Sequence, residues 1–332
     1  MKALTLTNLN ALPELLEQEA LRPDPGQAIV RLKAAALNRR DHWITRGLYP
    51  GVRPPVVLGS DGAGIVTACG EGVDPNWIGR EVIIDPGMHW GDDPRAQGKE
   101  FVVLGSPHDG TFASEVAVHH SQLHNKPERL NWFEAAALPL AAVTAYRAVF
   151  TQGAIEPGDT VLITGVGGGV ATFALQFALA VSDAVWVTSS SQEKIDRAIT
   201  MGARGGVNYR DADWSNNLAS DGAVPTLIVD SAGGPGYDSL IRLVAPGGRI
   251  VNYGATAGAP EKLDLCKVFW KQLRLQGTTM GSPEDFAAML EFASRHGIKP
   301  VIDEVYPLAR GAEAIERMKS SPQFGKLVLE MD

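Results

Sequence analysis

The chain has 332 residues, 45% hydrophobic and 20% charged, the balance of a soluble globular protein and more length than one ordinary core uses. A formal charge of −8 disfavours nucleic acid and anionic membrane, and no apolar run approaches the ~20 residues of a membrane span, so neither is expected as a partner. Cys69 and Cys266 stand far apart with no CxxC, which fits a reducing cytoplasm and two small apolar fillers.

The opening Met1-Lys2-Ala3-Leu4-Thr5-Leu6 alternates like a strand and does not read as a signal peptide. Short alternating segments at residues 28–34, 64–69 and 80–84, separated by Gly and Pro, predict further strands and a mainly-β first domain over residues 1–124. Residues 85–110 form a loop crowded with Gly, Pro, Asp and His, too long for an ordinary connection. The period then changes: residues 134–150 predict a helix. Strands at 160–164, 184–188, 226–230 and 249–253 alternate with helices at 169–181, 191–201 and 236–244. Those strands are almost continuously apolar, as parallel strands covered on both faces must be, so residues 125–279 predict an α/β, doubly wound parallel Rossmann domain. Residues 280–332 carry two amphipathic helices, 284–294 and 309–320, and a last strand at 326–329. They are expected to return to the first domain.

The strongest motif is Gly165-Val166-Gly167-Gly168-Gly169-Val170-Ala171, between a strand and an apolar helix. Glycines let a backbone turn tightly and approach a pyrophosphate, whose charge is held by the free amides of a helix N-terminus. A plain Gly-rich turn is the alternative, and the repeating strand-helix context favours nucleotide binding. An NAD site usually carries an acid ~20 residues further on, to accept from the ribose hydroxyls. Here Thr188-Ser189-Ser190-Ser191-Gln192 has none, and Lys194 and Arg197 follow. Hydroxyls, a helix N-terminus and a cation suit a 2′-phosphate, so NADPH is the expected cofactor. A capping box from Ser190 to Glu193 would explain the same residues, and both readings can hold together.

At this point the sequence resembles the medium-chain dehydrogenase/reductase superfamily, in particular its zinc-free quinone oxidoreductase-like branch. The resemblance is carried in order by Ala35-Ala36-Leu37-Asn38 with Asp41, Gly47-Leu48-Tyr49-Pro50, Gly59-Ser60-Asp61-Gly62-Ala63-Gly64, Asp109-Gly110-Thr111-Phe112, Ala136-Ala137-Leu138-Pro139-Leu140, the glycine loop, Pro246-Gly247-Gly248-Arg249 and Gly325-Lys326-Leu327-Val328. It implies that the first domain is GroES-like and catalytic, and that the protein is a homodimer. Zinc alcohol dehydrogenases of the superfamily bind their catalytic metal with Cys, His and a second Cys; those positions here look like Asn38, Ser60 and Leu140. Leu140 cannot ligate, and Asn38 and Ser60 are poor zinc ligands, so no metal is expected. The family's structural zinc lobe needs four cysteines. Residues 85–110 occupy that region with none, offering His89, Asp92, Asp93, Glu100, His108 and Asp109; a solvated acidic loop is preferred over a metal site.

Without a Lewis acid another group must stabilise charge on the substrate oxygen, which suits conjugated carbonyls such as quinones and enones. The resemblance implies that Asn38, Trp43 and Tyr49 line the substrate cleft near the nicotinamide, with Asn38 donating to a carbonyl, Tyr49 donating or acting as acid, and Trp43 an apolar wall. Tyr49 covering a core edge is the competing reading. By the same resemblance Tyr209, Gly254 and Lys326 approach the cofactor beside Gly165, Gly167, Gly168, Gly169, Val170, Ser189, Ser190 and Lys194. Arg39, Arg40, Asp41 and His42 form a charged run read as a substrate contact, with Arg40 and Asp41 equally a structural pair; His119, His120 and His124 are read as surface residues, and Phe269-Trp270 as a cleft cover or, preferably, interface core. The expected activity is NADPH-dependent, zinc-independent reduction of a small conjugated carbonyl; an enoyl-thioester reductase, an alcohol dehydrogenase of the same superfamily and a non-catalytic NADPH-binding protein are the alternatives.

Overall fold

The computed structural model describes residues 1–331. It divides into two units, residues 1–141 with 282–294 and 299–332, and residues 142–281 with 295–298. The first unit therefore runs past the boundary expected at residue 124, and most of the chain after residue 280 belongs to it.

The first unit is organised on the strand Gln27–Ala36, in which exposed Arg31 and Lys33 alternate with buried Val30, Leu32 and Ala34. It pairs antiparallel with Asp61–Cys69, with Glu115–His119 and, at its C-terminal end, with Lys326–Glu330. Glu81–Ile84 and Leu123–Asn125 extend the sheet on one side, and Ile302–Pro307 lies parallel to Lys326–Glu330 on the other. The register shifts between Leu32 and Ala34, and there the strands approach closely: a Cβ on Gly64 would stand 2.2 Å from the Arg31 carbonyl oxygen. Leu6, Leu32, Leu37, Phe112, Leu327 and Leu329 sit in one buried cluster, each side chain contributing roughly 1.5–3 kcal/mol. Lys2–Leu6, the strand expected at the start, pairs with Glu14–Glu17 and Val56–Val57 in a separate small sheet. Residues 85–110 contain a two-stranded pairing of Gly87–Met88 with Val102–Val103, and residues 91–100 are exposed throughout.

The second unit is a six-stranded, all-parallel sheet in the order Gly205–Asn208, Ala184–Ser189, Thr160–Ile163, Leu227–Asp230, Arg249–Asn252, Arg274–Gly277. The four apolar strands expected form its middle. The two outer strands escaped the periodicity because Gly-Gly-Val-Asn and Arg-Leu-Gln-Gly lack the apolar run of a covered strand. This order reverses direction beside Thr160–Ile163, and in such sheets a crevice opens at the carboxyl ends of the strands at that point.

The single helix expected over residues 134–150 is three pieces, Trp132–Ala137, Pro139–Tyr146 and a π-turn at Arg147–Thr151. Pro139 has no N–H to continue the ladder, which ends the first piece; the entry is fixed by a capping box between Asn131 and Glu134.

Candidate functional site

In the second unit the strand Thr160–Ile163 runs into the glycine loop and then the helix Gly169–Leu179. Gly165 and Gly167 have φ of 63° and 128°, conformations that favour glycine. Gly168 caps the helix with no side-chain bond, so the first helix amides have no side-chain cap, and a Cβ on Gly168 would meet nothing within 4 Å. The loop is tied to the end of the second strand: Gly165 N–H donates to Thr188 Oγ1 (3.2 Å) and Val166 N–H to the Thr188 carbonyl (2.8 Å). Lys194 lies over the loop, its Cδ 2.9 Å and its Nζ 3.3 Å from where a Gly167 Cβ would stand.

Ser189 is buried and Ser190 half-buried. The helix Gln192–Thr200 is capped by Ser191, whose hydroxyl accepts from the Lys194 N–H, so the cap lies one residue beyond the Ser190 expected. Tyr209 is half exposed and its N–H donates to the Ser189 carbonyl (3.1 Å), placing it at the same strand end. Gly254 follows the strand Arg249–Asn252, and a Cβ on it would stand 2.9 Å from the Ser231 carbonyl oxygen. A polar cluster not anticipated from the sequence sits nearby. Buried Asp230 accepts from Thr164 Oγ1 (2.5 Å), Gly233 N–H (2.9 Å) and Asn252 Nδ2 (2.8 Å), while the Tyr237 hydroxyl donates to Asn252 (2.7 Å). The signal for it was an acid closing the apolar run Leu227-Ile228-Val229-Asp230.

In the first unit the sheet register brings Asn38, Asp61 and Lys326 together. Ala36 faces Asp61 on one side and Val328 on the other. Asn38 Nδ2 donates to Asp61 Oδ2 (2.9 Å), and Lys326 Nζ donates to Asn38 Oδ1 (2.6 Å) and to Asp61 Oδ2 (2.9 Å). The Leu140 N–H donates to Asp61 Oδ1 (2.8 Å). The Asn38 N–H donates to Asp41 Oδ2 (2.7 Å), which fixes the start of the helix Arg39–Thr45. Burial lifts the Asp41 carboxyl to about 6, against the nearby Arg40 charge and this hydrogen bond. Lys326, expected at the cofactor, thus spends two of its ammonium protons inside the first unit.

Arg40 does not form an ion pair with Asp41 among the described residues. Its guanidinium donates to Ser60 Oγ (2.6 Å) and to the Leu104 carbonyl (2.7 Å), and it lies 4.8 Å over the Tyr49 ring. Tyr49 is half-buried against the core of this unit, and Trp43 is half-buried with its ring 5.4 Å from that of His42. Three other expectations change. Cys266 is exposed and Cys69 half-buried, so neither is a buried filler. His124 is half-buried against Phe286, unlike exposed His119 and His120. Trp270 is 83% exposed and Phe269 66%, so neither is buried within this chain.

Comparison with known proteins adds relationship to this geometry. Residues 24–128 match the family model described as alcohol dehydrogenase GroES-like domain, and residues 169–295 the model described as zinc-binding dehydrogenase. The chain is 38% identical to the zinc-type alcohol dehydrogenase-like protein YogA of Leptosphaeria maculans, over 93% of this chain and 92% of that protein. It is 35% identical to the zinc-type alcohol dehydrogenase-like protein C1773.06c of Schizosaccharomyces pombe, again over 93% and 92%. A crystal structure of an NAD-dependent alcohol dehydrogenase superposes with a TM-score of 0.93 at 34% identity, covering 100% of both chains.

Zinc does not fit the residues at the three positions where the resemblance would place its ligands. The Asn38 amide oxygen already accepts from an ammonium, and the Ser60 hydroxyl accepts from Arg40 and donates to the Leu104 carbonyl (2.8 Å); Leu140 offers no donor atom. Two cations stand where a third would have to bind. Among the described residues no group of three or more His, Cys, Asp and Glu is arranged to hold a metal. A dinucleotide pyrophosphate does fit the second unit, because the loop glycines and a helix N-terminus that no side chain caps form an anion cradle.

Proposed function

The chain belongs to the medium-chain dehydrogenase/reductase superfamily, and from that premise we propose that it is an NADPH-dependent, zinc-independent oxidoreductase that reduces a small conjugated carbonyl, a quinone or an enone. The observation that carries this reading is the Asn38 cluster, in which a buried carboxamide held by a carboxylate and an ammonium replaces a metal ligand set with a hydrogen-bond donor.

Hydride is the chemistry that a reduced nicotinamide supplies when bound. Asn38 Nδ2 donates to the substrate carbonyl oxygen, where negative charge develops, and the Tyr49 phenol supplies the proton that neutralises it. Trp43 is the apolar wall. Conjugation lowers the demand on these groups by spreading the charge, which is why an enone or quinone suits a site without a Lewis acid. In the second unit the amides of Gly167, Gly168, Gly169 and Val170 would hold the pyrophosphate, while Gly165, whose N–H is taken by Thr188, supplies the turn. Ser189, Ser190 and Lys194 hold the 2′-phosphate, with Tyr209 and Gly254 flanking the adenosine and nicotinamide portions.

The protein acts in the cytoplasm as a homodimer in this proposal. Support for the dimer is the outer strand Arg274–Gly277, exposed along its length, preceded by the exposed Phe269 and Trp270. Light scattering of Trp270→Glu against the parent protein tests it, a monomeric parent being the contrary result.

The experiment for the activity is NADPH absorbance in the presence of a panel of enones, quinones, enoyl thioesters and simple aldehydes. Consumption with the first two classes is expected. Turnover confined to aldehydes and alcohols, or none across the panel, overturns the reading.

A further inference from the structure

We infer that Lys326 is a positioning residue for this reaction: together with Asp61 it locks the Asn38 carboxamide in one orientation and leaves a single Nδ2–H for the substrate oxygen. The inference rests on the reduction reading above and assigns within it the residues that make Asn38 a usable donor.

The orientation follows from donor and acceptor chemistry. An ammonium only donates and a carboxylate only accepts, so the amide oxygen of Asn38 must face Lys326 and its nitrogen must face Asp61. The reverse flip would set N–H against N–H and oxygen against oxygen. Asn38, Asp61 and Lys326 are 7%, 0% and 3% exposed, so water does not compete for these bonds. Each neighbour is held in turn. Asp61 Oδ1 accepts from the Leu140 N–H, the Thr111 hydroxyl donates to the Asp61 carbonyl (2.7 Å), and Asp41 fixes the Asn38 backbone.

Counting protons shows what is left over. Nδ2 carries two, and one goes to Asp61; the other has no partner among the described residues. The ammonium at 2.6 Å draws electron density toward the amide oxygen, which makes that remaining N–H a stronger donor. A Lys–Asp pair buried for stability alone would need no third member, and such pairs are weak stabilisers because of their desolvation cost. Here the pair clamps both ends of one carboxamide.

The test compares the parent protein with Lys326→Met, with the charge-balanced Lys326→Met/Asp61→Asn, and with Lys326→Arg. The double variant avoids a buried unpaired carboxylate and stands in if the single variant fails to fold. Four quantities are read: kcat and KM for an enone with NADPH, the NADPH dissociation constant, and the Nδ2 proton shifts of Asn38 in protein labelled with ¹⁵N-asparagine, assigned by their loss in Asn38→Asp. Expected is a fall in kcat of about 100-fold, the size seen when one oxyanion donor is lost, with NADPH affinity unchanged. The Asn38 proton shifts should move toward those of a solvent-exposed amide, and Lys326→Arg should restore part of kcat. A loss of NADPH affinity that matches the loss of kcat makes Lys326 a cofactor ligand and overturns the inference; so does an unchanged kcat, or an Asn38 signal that stays in place. A parent protein that reduces no conjugated carbonyl refutes the activity instead, and the proton shifts still decide whether Lys326 positions Asn38.

Discussion

Replacing Lys194 by alanine should weaken NADPH binding and leave NADH binding nearly untouched. The Lys194 ammonium stands 3.3 Å from the position of a Gly167 Cβ, at the strand end where Ser189 and Ser190 replace the usual acid. A hydrogen bond to a charged group contributes about 1.5–3 kcal/mol, and each 1.4 kcal/mol is tenfold, so the NADPH dissociation constant should rise about 10- to 100-fold. Lys194 is half-buried, and salt screens what is exposed, so the effect should be larger in dilute buffer than at high ionic strength. Titration of nicotinamide fluorescence with both cofactors, on parent and variant, reads the difference directly. An equal loss for NADPH and NADH would put Lys194 on the pyrophosphate shared by both, and equal affinities in the parent would refute the 2′-phosphate reasoning.

Ser190→Asp should reverse the preference toward NADH, because a carboxylate repels a 2′-phosphate and accepts from ribose hydroxyls; the same titration measures it. Asn38→Ala should lower kcat about 100-fold, measured by NADPH absorbance with an enone, while Lys326 and Asp61 still pair and the fold persists. Gly64→Ala should destabilise the first unit by about 1–3 kcal/mol, seen as a lower midpoint in thermal denaturation, because the new Cβ meets backbone that cannot swing away. Burial raises the Asp85 carboxyl to about 7 from 3.8. Between those values the folded state holds a proton the unfolded state has lost, so this group's contribution to stability falls as pH rises, at up to about 1.4 kcal/mol per pH unit. Asp85→Asn removes that slope. The melting temperature of the variant relative to the parent should therefore climb from pH 5 to pH 8, and a constant difference would contradict the assignment.

Legibility in the sequence followed physical locality. The glycine loop and the four inner strands of the second unit could be read because each is a local pattern with a period or a conformational demand. The outer strands Gly205–Asn208 and Arg274–Gly277 could not, since an edge strand needs no continuous apolar run. The helix Arg39–Thr45 looked like a charged run; at seven residues it is too short to show a helical period. Asn38 was named from the sequence, but its link to Lys326 spans 288 positions and exists only through sheet register. No spacing rule carries such a pairing; the resemblance alone placed Lys326, and placed it at the cofactor. Phe269 and Trp270 were read as a cleft cover or, preferably, interface core, and their exposure leaves a surface that the sequence pattern did not announce.

The central claim, NADPH-dependent reduction without zinc, is tested most directly by measuring metal content and turnover on one preparation. After dialysis against a strong chelator, zinc should be far below one equivalent per chain, and the protein should still oxidise NADPH with an enone at its original kcat and faster than NADH. Loss of turnover in step with zinc, restored by adding the metal back, would contradict the account.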